Sequence, residues 1–310
     1  MNLKILLTGK NGQIGHELSR LLPELGDVVA LDRQQVDLTK PEQIRHAIRD
    51  ARPQIIVNAA AYTAVDQAEK EEALARTINA DAPGLMAEEA KKIGAVLVHY
   101  STDYVFDGSK TSPYVENDPP NPINAYGRTK LAGEQAIAAA SAAHLIIRTA
   151  WVYGTRGKNF LLTILRLATE REELRIVRDQ TGAPTWSREI AAATTRILKQ
   201  VSGREGPVAS LSNLGGIYHL TAAGETNWCE FAQAILDLAD HASNRASWFA
   251  AATEGRPVIT RRIIPINTDE YPTAARRPAY SVLSNSRCKR TFGFALPDWK
   301  AQLQSVMAQS

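Results

Sequence analysis

The feature that most constrains the fold is a regular alternation of short apolar runs and longer helical stretches in the first 150 residues. The apolar runs have the length and the branched side chains of buried strands. Strands that are apolar along their whole length and separated by helices form parallel sheets covered on both faces. We therefore predict an α/β fold with a doubly wound parallel sheet. The predicted strands are residues 3–8, 28–32, 55–58, 96–101 and 145–148.

The remainder of the chain is less regular, and we predict a second, smaller lobe there. The first domain is expected to cover residues 1–150, with segments around 190–225 returning to it, and the C-terminal lobe to cover most of 151–310. Helices are predicted over 71–92 and 227–240 and from a start at Thr39 to Glu42, with Thr39 as the cap. Loops or surface connections are predicted at 113–122, 178–185, 201–216 and 241–257.

Composition excludes several classes of partner. The chain has 310 residues, 44% of them apolar, and a net charge of only +3, which gives no electrostatic case for nucleic acid or an anionic membrane. Two cysteines, Cys229 and Cys288, indicate a reducing compartment and not a disulfide framework. No apolar run has the length of a membrane span, and residues 1–8 are predicted to form a strand and not a signal peptide. We expect a cytoplasmic protein.

Three glycines follow the first predicted strand. Gly9, Gly12 and Gly15 have the spacing G-x-x-G-x-x-G and open a helix, whose free N–H groups and dipole suit a pyrophosphate. Asp32 ends the second strand, where a ribose-binding carboxylate is expected. A tight turn without a ligand is the alternative, but the strand, turn and helix context favours a dinucleotide bed of Rossmann type. No Gly-Lys-Ser/Thr follows, which excludes a nucleotide-hydrolase loop.

The choice between NADH and NADPH stays open at this point. Asp32 favours an unphosphorylated ribose, whereas the adjacent Arg33 is suited to a 2′-phosphate. At the end of the third strand, residues 58–61 supply an amide and small side chains that suit the floor of a cofactor pocket, or simply a turn into the next helix.

A phenol and an amine are spaced one helical turn apart at Tyr126 and Lys130. A cation at that spacing is expected to lower the pKa of the phenol. Alone, such a pair is more often solvated, but Thr102 ends the fourth strand, and ligands bind at the C-terminal ends of parallel strands. Thr102, Tyr126 and Lys130 are therefore the predicted catalytic residues for hydride transfer between a nicotinamide and an alcohol carbon.

The chain resembles the extended short-chain dehydrogenases/reductases and, more narrowly, the dTDP-4-dehydrorhamnose reductase family. The resemblance covers nearly the whole chain. It is carried by the glycine turn and by runs at residues 57–66, 100–106 (Tyr-Ser-Thr-Asp-Tyr-Val-Phe), 124–134, 148–153, 179–185 (Asp-Gln-Thr-Gly-Ala-Pro-Thr) and 277–283.

The resemblance implies reduction of the C4 ketone of dTDP-4-dehydro-L-rhamnose by NADPH or NADH, in rhamnose biosynthesis. Tyr126 would protonate the C4 oxygen, Lys130 would bind the nicotinamide ribose and Thr102 would polarise the ketone. Thr102, Asp103, Trp151 and Arg277 would contact the substrate. The residues implied to line the cofactor are Gly9, Gly12, Gln13, Ile14, Gly15, Asp32, Asp37, Leu38, Ala61, Tyr62, Thr63, Tyr100, Tyr126 and Lys130.

Three alternatives or additions follow from the same resemblance. Another nucleotide-sugar epimerase or reductase shares the fold, although the single acid after Thr102 argues against a dehydratase. A non-catalytic regulatory subunit retaining the fold is the second alternative. Some family members hold a dimer through Mg²⁺ bound by glutamates. Glu17 and Glu189 fall at matching places, but no carboxylate follows Asp298, so we interpret both as solvated helix charges. A monomer or a homodimer is expected.

Overall fold

The computed structural model describes residues 3–203, 206–241 and 247–309. Within these ranges, six parallel strands form one sheet with the order β10-β5-β4-β3-β1-β2. The predicted α/β architecture is confirmed, because helices lie between successive strands and on both faces of the sheet. The strands are β1 Leu3–Thr8, β2 Gly26–Leu31, β3 Ile55–Asn58, β4 Val96–Thr102, β5 His144–Thr149, β6 Val152–Tyr153, β7 Glu173–Val177, β8 Thr181–Gly182, β9 Thr185–Trp186, β10 Gly216–His219, β11 Thr226–Asn227 and β12 Arg262–Ile266.

The helices follow the apolar periodicity of the sequence, and most of the longer ones pack against the sheet. They are α1 Gln13–Leu21, α2 Pro41–Ala51, α3 Val65–Ala68, α4 Glu72–Arg76, α5 Ala82–Ile93, α6 Ala125–Ala139, α7 Phe160–Ala168, α8 Ser187–Val201, α9 Gly206–Leu214, α10 Trp228–His241, α11 Ser247–Thr253, α12 Ser286–Phe292 and α13 Trp299–Met307. A π-helical turn, Thr77–Asp81, joins α4 to α5.

Two apolar cores lie on opposite faces of the sheet. On one face, Leu18 of α1 and Ile190 of α8 pack against β1, β3 and β4. On the other, Ile44 of α2 and Met86 of α5 pack against the alternate side chains of the same strands. Burial on both faces explains why these strands are apolar along their length, since each side chain of a central strand is withdrawn from water.

The start of α2 differs from the prediction. Lys40 occupies the cap position and the helix lacks a side-chain cap, so the assignment of Thr39 as the cap is wrong. The Thr39 hydroxyl instead donates to Asp37 Oδ1 at 2.9 Å. A carboxylate two residues earlier competes for that hydroxyl, which is a local contact that the capping pattern does not reveal.

A third core defines the smaller C-terminal lobe. Phe231 of α10, Leu161 of α7 and Leu303 of α13 are fully buried in it, together with β7 residues. The chain returns to the large sheet between these elements, because β10 pairs in parallel with β5. Two predicted surface connections are wrong in part: α9 lies within 201–216 and α11 within 241–257. Residues 204–205 and 242–246 of those segments lie outside the described residues.

None of the helices in the described ranges is long and apolar enough to span a bilayer.

Candidate active site

The C-terminal ends of β1 to β5 meet along one edge of the sheet, and the predicted site residues follow them. The turn after β1 brings its backbone against the loop after β3. A side chain at Gly9 would place its Cβ 2.7 Å from the Ala60 nitrogen, and Gly9 has φ +79°, a conformation that favours glycine. This close approach explains the glycine at the start of the turn.

The N-terminus of α1 begins directly after Gly12, which provides no side-chain cap. The side chain of Gln13 turns toward the small lobe: its Nε2 lies 3.4 Å from the Val152 carbonyl oxygen, and its Oε1 accepts from Asn159 at 2.9 Å. The first N–H groups of the helix therefore remain available for an anionic group. A glycine turn that opens a helix without a side-chain cap fits a dinucleotide pyrophosphate.

Asp32 lies at the end of β2, across from the glycine turn. Lys10 approaches its carboxylate at 3.4 Å and donates to Gln35 Oε1 at 2.6 Å, while Asn11 lies 3.4 Å from the same Asp32 oxygen. Asp32, which is predicted to bind the ribose, therefore has the positive charge of Lys10 beside it. The sequence prediction did not include this lysine.

The other predicted cofactor residues lie in two places, the loop after β3 and the segment between β2 and α2. Ala61, Tyr62 and Thr63 lie in the loop after β3, where the Tyr62 hydroxyl donates to Glu71 Oε2 at 2.6 Å. Asp37 accepts from the Thr39 nitrogen at 3.0 Å, and Leu38 is buried in the core under α2.

Tyr100 contributes its main chain to the site, whereas its side chain lies in the core. Its ring is packed in the core and its hydroxyl donates to Thr194 Oγ1 at 2.8 Å. Its main-chain carbonyl faces the other way and accepts from Lys130. Only its main chain is therefore placed to serve the site.

The helix that carries Tyr126 and Lys130 is fixed at its first turn. The Asn124 side chain accepts from the Gly127 nitrogen at 2.7 Å, and Glu69 Oε1 accepts from the Ala125 nitrogen at 2.7 Å. A Cβ at Gly127 would lie 2.1 Å from the Tyr104 carbonyl oxygen. Glycine there allows α6 to approach the turn after β4, which brings Tyr126 to Thr102.

Thr102, Asp103 and Tyr126 lie together at the sheet edge. The Thr102 hydroxyl donates to Asp103 Oδ1 at 3.0 Å and accepts from the Tyr104 nitrogen at 3.1 Å, and the Tyr126 phenol is close enough for Thr102 and Asp103 both to act on its pKa. Burial raises the pKa of Asp103 to about 6, and its Oδ2 is buried without a hydrogen-bond partner. The structure therefore brings together two of the three predicted catalytic residues and one predicted substrate residue.

The pKa of Tyr126 is raised, contrary to the expectation from sequence. Burial is the main cause and the negative charge of Asp103 adds to it, while the hydrogen bond with Thr102 acts in the opposite direction. The predicted lowering by Lys130 is wrong for this arrangement. The Lys130 amine points instead to the Tyr100 carbonyl oxygen, at 2.6 Å, and to His99 Nε2, at 3.1 Å.

The two remaining predicted substrate residues are each held by a partner. Trp151 has φ +47° and stacks on Trp228 with ring centroids 3.5 Å apart. Arg277 donates to both carboxylate oxygens of Asp66, at 2.7 and 2.6 Å. Both lie on the C-terminal side of the sheet, where the small lobe covers it.

The glutamates considered for a metal lie on two helices that pack together. Glu17 belongs to α1 and Glu189 to α8, and burial raises the pKa of Glu189. Among the residues that the structure describes, no group of three or more His, Cys, Asp or Glu side chains is arranged to hold a metal ion.

Comparison with known proteins agrees with this geometry. The family described as RmlD substrate binding domain matches residues 3–310. A dTDP-4-dehydrorhamnose reductase of Burkholderia thailandensis is 51% identical over 96% of both chains, and one of Escherichia coli K12 is 40% identical over 98% of this chain and 97% of its own. The crystal structure of the Bacillus anthracis dTDP-4-dehydrorhamnose reductase in complex with NADP has a TM-score of 0.86, 35% identity and full coverage of both chains.

The parallel sheet, the glycine turn and the Thr102–Tyr126 pair define an enzyme of the extended short-chain dehydrogenase/reductase class. Within that class, the chain belongs to the dTDP-4-dehydrorhamnose reductase family. The family resemblance predicted from the sequence is confirmed.

Several side chains at the site were not found from the sequence. His99 was assigned no chemistry because it lacks metal-ligand spacing, yet it contacts Lys130. Trp228 begins an amphipathic helix, where an aromatic side chain indicates core packing. Glu134 and Arg148 form a buried ion pair behind the site. The only sequence signal for this pair was a charged residue within an otherwise apolar strand, at Arg148.

Proposed function

We propose that this chain reduces the C4 ketone of dTDP-4-dehydro-L-rhamnose, with NADPH or NADH, to give dTDP-L-rhamnose. The observation that carries the proposal is the cluster of Tyr126, Thr102 and Asp103 at the sheet edge, beside the glycine turn. A phenol beside a neutral hydroxyl at such an edge is suited to protonating a carbonyl oxygen. Two reductases similar to this chain, at 51% and 40% identity, support the choice of substrate.

The residues present fit a nicotinamide dinucleotide. The turn of Gly9, Gly12 and Gly15 and the start of α1 would hold the pyrophosphate, and Asp32 with Lys10 would face the adenosine ribose. A carboxylate that is paired with a lysine accommodates a ribose with or without a 2′-phosphate, which supports use of either cofactor. When bound, the nicotinamide supplies the hydride.

Tyr126 would give its phenolic proton to the C4 oxygen. Its pKa is raised by burial and by Asp103, so the phenol holds its proton at neutral pH until the ketone oxygen gains negative charge and accepts it. The Thr102 hydroxyl has its own proton directed to Asp103 Oδ1, and it can turn that proton toward the developing negative oxygen. A neutral donor at that position stabilises negative charge that appears only in the transition state.

Lys130 would bind the nicotinamide ribose through its amine, which the Tyr100 carbonyl and His99 hold at a fixed position. The sugar would lie against Trp151 and Asp103, and Arg277 would meet the diphosphate from its position beside Asp66. Residues 1–150, with the segments around 190–225, would bind the cofactor, and most of 151–310 would bind the sugar nucleotide. Two free cysteines, Cys229 and Cys288, support a cytoplasmic site for the reaction.

The test is an assay of the purified chain with dTDP-4-dehydro-L-rhamnose, run separately with NADPH and NADH. We expect net oxidation of the cofactor in proportion to ketosugar consumed, with dTDP-L-rhamnose as the product. Conversion of the ketosugar to an isomer without net cofactor oxidation would indicate an epimerase. Cofactor binding without turnover of any 4-ketosugar would favour the non-catalytic subunit.

A further inference from the structure

A continuous line of buried polar groups runs from β1 to the amine of Lys130. It passes through Thr8, Asn58 and His99, which end or lie within β1, β3 and β4, and each is 5% exposed or less. The distances are 2.7 Å from Thr8 Oγ1 to Asn58 Oδ1, 3.1 Å from Asn58 Nδ2 to His99 Nδ1, and 3.1 Å from His99 Nε2 to Lys130 Nζ. The proton positions along this line follow from counting donors.

The orientation of the Asn58 amide is fixed by the backbone. Asn58 Oδ1 accepts from the Ala60 nitrogen at 3.2 Å, and a main-chain N–H can only donate. If the amide were flipped, its NH₂ group would face the Ala60 N–H, and two donors would meet without an acceptor. The NH₂ group of Asn58 therefore points to His99 Nδ1 and donates to it, which means that Nδ1 carries no proton.

A neutral imidazole with a bare Nδ1 carries its proton on Nε2. Nε2 is the atom that faces Lys130. An ammonium group has three donors and no acceptor, so a charged Lys130 would set N–H against N–H in a buried site. A neutral amine removes the conflict, because its lone pair accepts from Nε2–H while its own N–H donates to the Tyr100 carbonyl oxygen.

We propose that Asn58 and His99 are positioning residues that fix Lys130 through a hydrogen bond from His99 Nε2–H to its amine, and thereby favour the uncharged form of this lysine. The proposal deepens the proposed function and rests on it only for its kinetic part. Lys130 would take up a proton when its amine leaves His99 for a hydrogen-bond acceptor on a bound ribose.

The surroundings of Lys130 agree with an amine that loses its proton easily. From β4 it contacts neutral His99 and the Tyr100 carbonyl, and from its own helix the charge of Glu134 acts on it. The Glu134 carboxylate, which would favour the ammonium, is already paired with Arg148 of β5 at 2.6 Å and accepts from Ser101. Burial lowers the pKa of Lys130 to about 8, and burial and Lys130 together keep the pKa of His99 well below its usual range.

The direct test is nitrogen NMR of the cofactor-free protein labelled with ¹⁵N-histidine. The His99 signals are assigned by their loss in His99→Gln. We expect a neutral ring with the proton on Nε2 at pH 7 to 9. A ring protonated on Nδ1, or on both nitrogens, would overturn the proposal whatever the protein catalyses, so this result is independent of the proposed function.

The kinetic test uses two variants that give Lys130 an acceptor. In Asn58→Asp, the new carboxylate accepts from Nδ1–H and leaves Nε2 bare. In His99→Gln, the amide oxygen of the new glutamine can accept a hydrogen bond from the Lys130 amine. We expect the alkaline fall in kcat/KM for the cofactor, which reports the cofactor-free enzyme, to move up by about one pH unit in either variant, because an ammonium with an acceptor keeps its proton longer.

His144→Gln is the control for loss of a histidine, since His144 lies at the start of β5 and bonds the Ala142 carbonyl oxygen. The pH profile of kcat/KM for His144→Gln should match that of the unsubstituted protein. If both test variants fold, as judged by circular dichroism and cofactor binding, and neither moves the alkaline limb, Asn58 and His99 serve only to hold the sheet together and the proposal fails.

Discussion

The rings of Trp151 and Trp228 are stacked, with an angle of 5° between their planes and centroids 3.5 Å apart. Trp151 is the second residue after β5 and Trp228 begins α10, so this stack joins the sheet edge to the small lobe. Trp228 is itself fixed by donating to Gln180 Oε1 at 3.2 Å. On its edge, Trp151 meets Gly182 so closely that a Cβ there would lie 2.4 Å from the ring.

We therefore expect Gly182→Ala to displace Trp151 and to raise KM for the ketosugar by tenfold or more, with little change in KM for the cofactor. Exciton coupling between the stacked indoles in the circular dichroism spectrum should weaken in parallel. Gly203→Ala is the matched control, because its nearest neighbour would be 3.7 Å away. Equal kinetic effects of the two substitutions would contradict a role for the stack.

Tyr126→Phe should lower kcat by two or more orders of magnitude, because it removes a positioned proton donor and leaves the ring in place. Dissociation constants for NADPH, measured by fluorescence titration, should change by less than tenfold. Thr102→Val should lower kcat less, since it removes a supporting donor. A Tyr126→Phe enzyme with unchanged turnover would show that another group protonates the ketone.

Asp103 should make the protein less stable as the pH rises. Its pKa is raised from 3.8 to about 6 by burial, so the folded state holds this proton more tightly than the unfolded state. The free energy of unfolding therefore decreases between about pH 4 and 6, by roughly 2–3 kcal/mol for a shift of this size, and the penalty persists above it.

Asp103→Asn removes that titration. Urea unfolding should show the variant more stable than the original at pH 7.5, with the difference disappearing near pH 4. A difference that does not vary with pH would mean that the Asp103 carboxyl does not titrate in this range. Substrate affinity is a separate measurement, and we expect it to fall.

The buried pair of Arg148 and Glu134 should be the most sensitive polar contact for stability. Arg148→Met leaves the Glu134 carboxylate buried and without its cation, and we expect a loss of about 3–5 kcal/mol in the free energy of unfolding. Combining it with Glu134→Met should recover most of that loss, because both charges are then gone. A double variant as unstable as the single one would show that shape, not charge, dominates there. Urea unfolding at pH 7.5 measures all three proteins.

The sequence predicted the sheet, the glycine turn and the family because these depend on local patterns. Strand residues such as Ile55 lie in continuous apolar runs, and such a run by itself indicates a buried strand. Tyr126 and Lys130 are separated by one helical turn, a spacing that is visible in the sequence. The partner of Lys130 was not predictable in this way. His99 reaches it from another strand, and nothing near His99 in the sequence distinguishes it from a core histidine.

Cap and surface predictions failed for a related reason. The Thr39 hydroxyl had two possible acceptors within a few residues, and only the folded turn selects Asp37. Likewise, the direction of the Tyr126 pKa depends on burial and on Asp103, which reaches it through the fold, and neither is visible in the spacing from Tyr126 to Lys130.

The pairing of β10 with β5 has a consequence for how this molecule can be divided. The outer strand of the sheet comes from beyond α7 and β7 of the small lobe, so the polypeptide crosses between the two bodies more than once. If the chain were cut after residue 150, β5 would lose its partner β10, and a row of its backbone N–H and C=O groups would be left unpaired. The small lobe is therefore connected to the large sheet by more than one crossing of the chain, and it cannot be removed or exchanged at a single point.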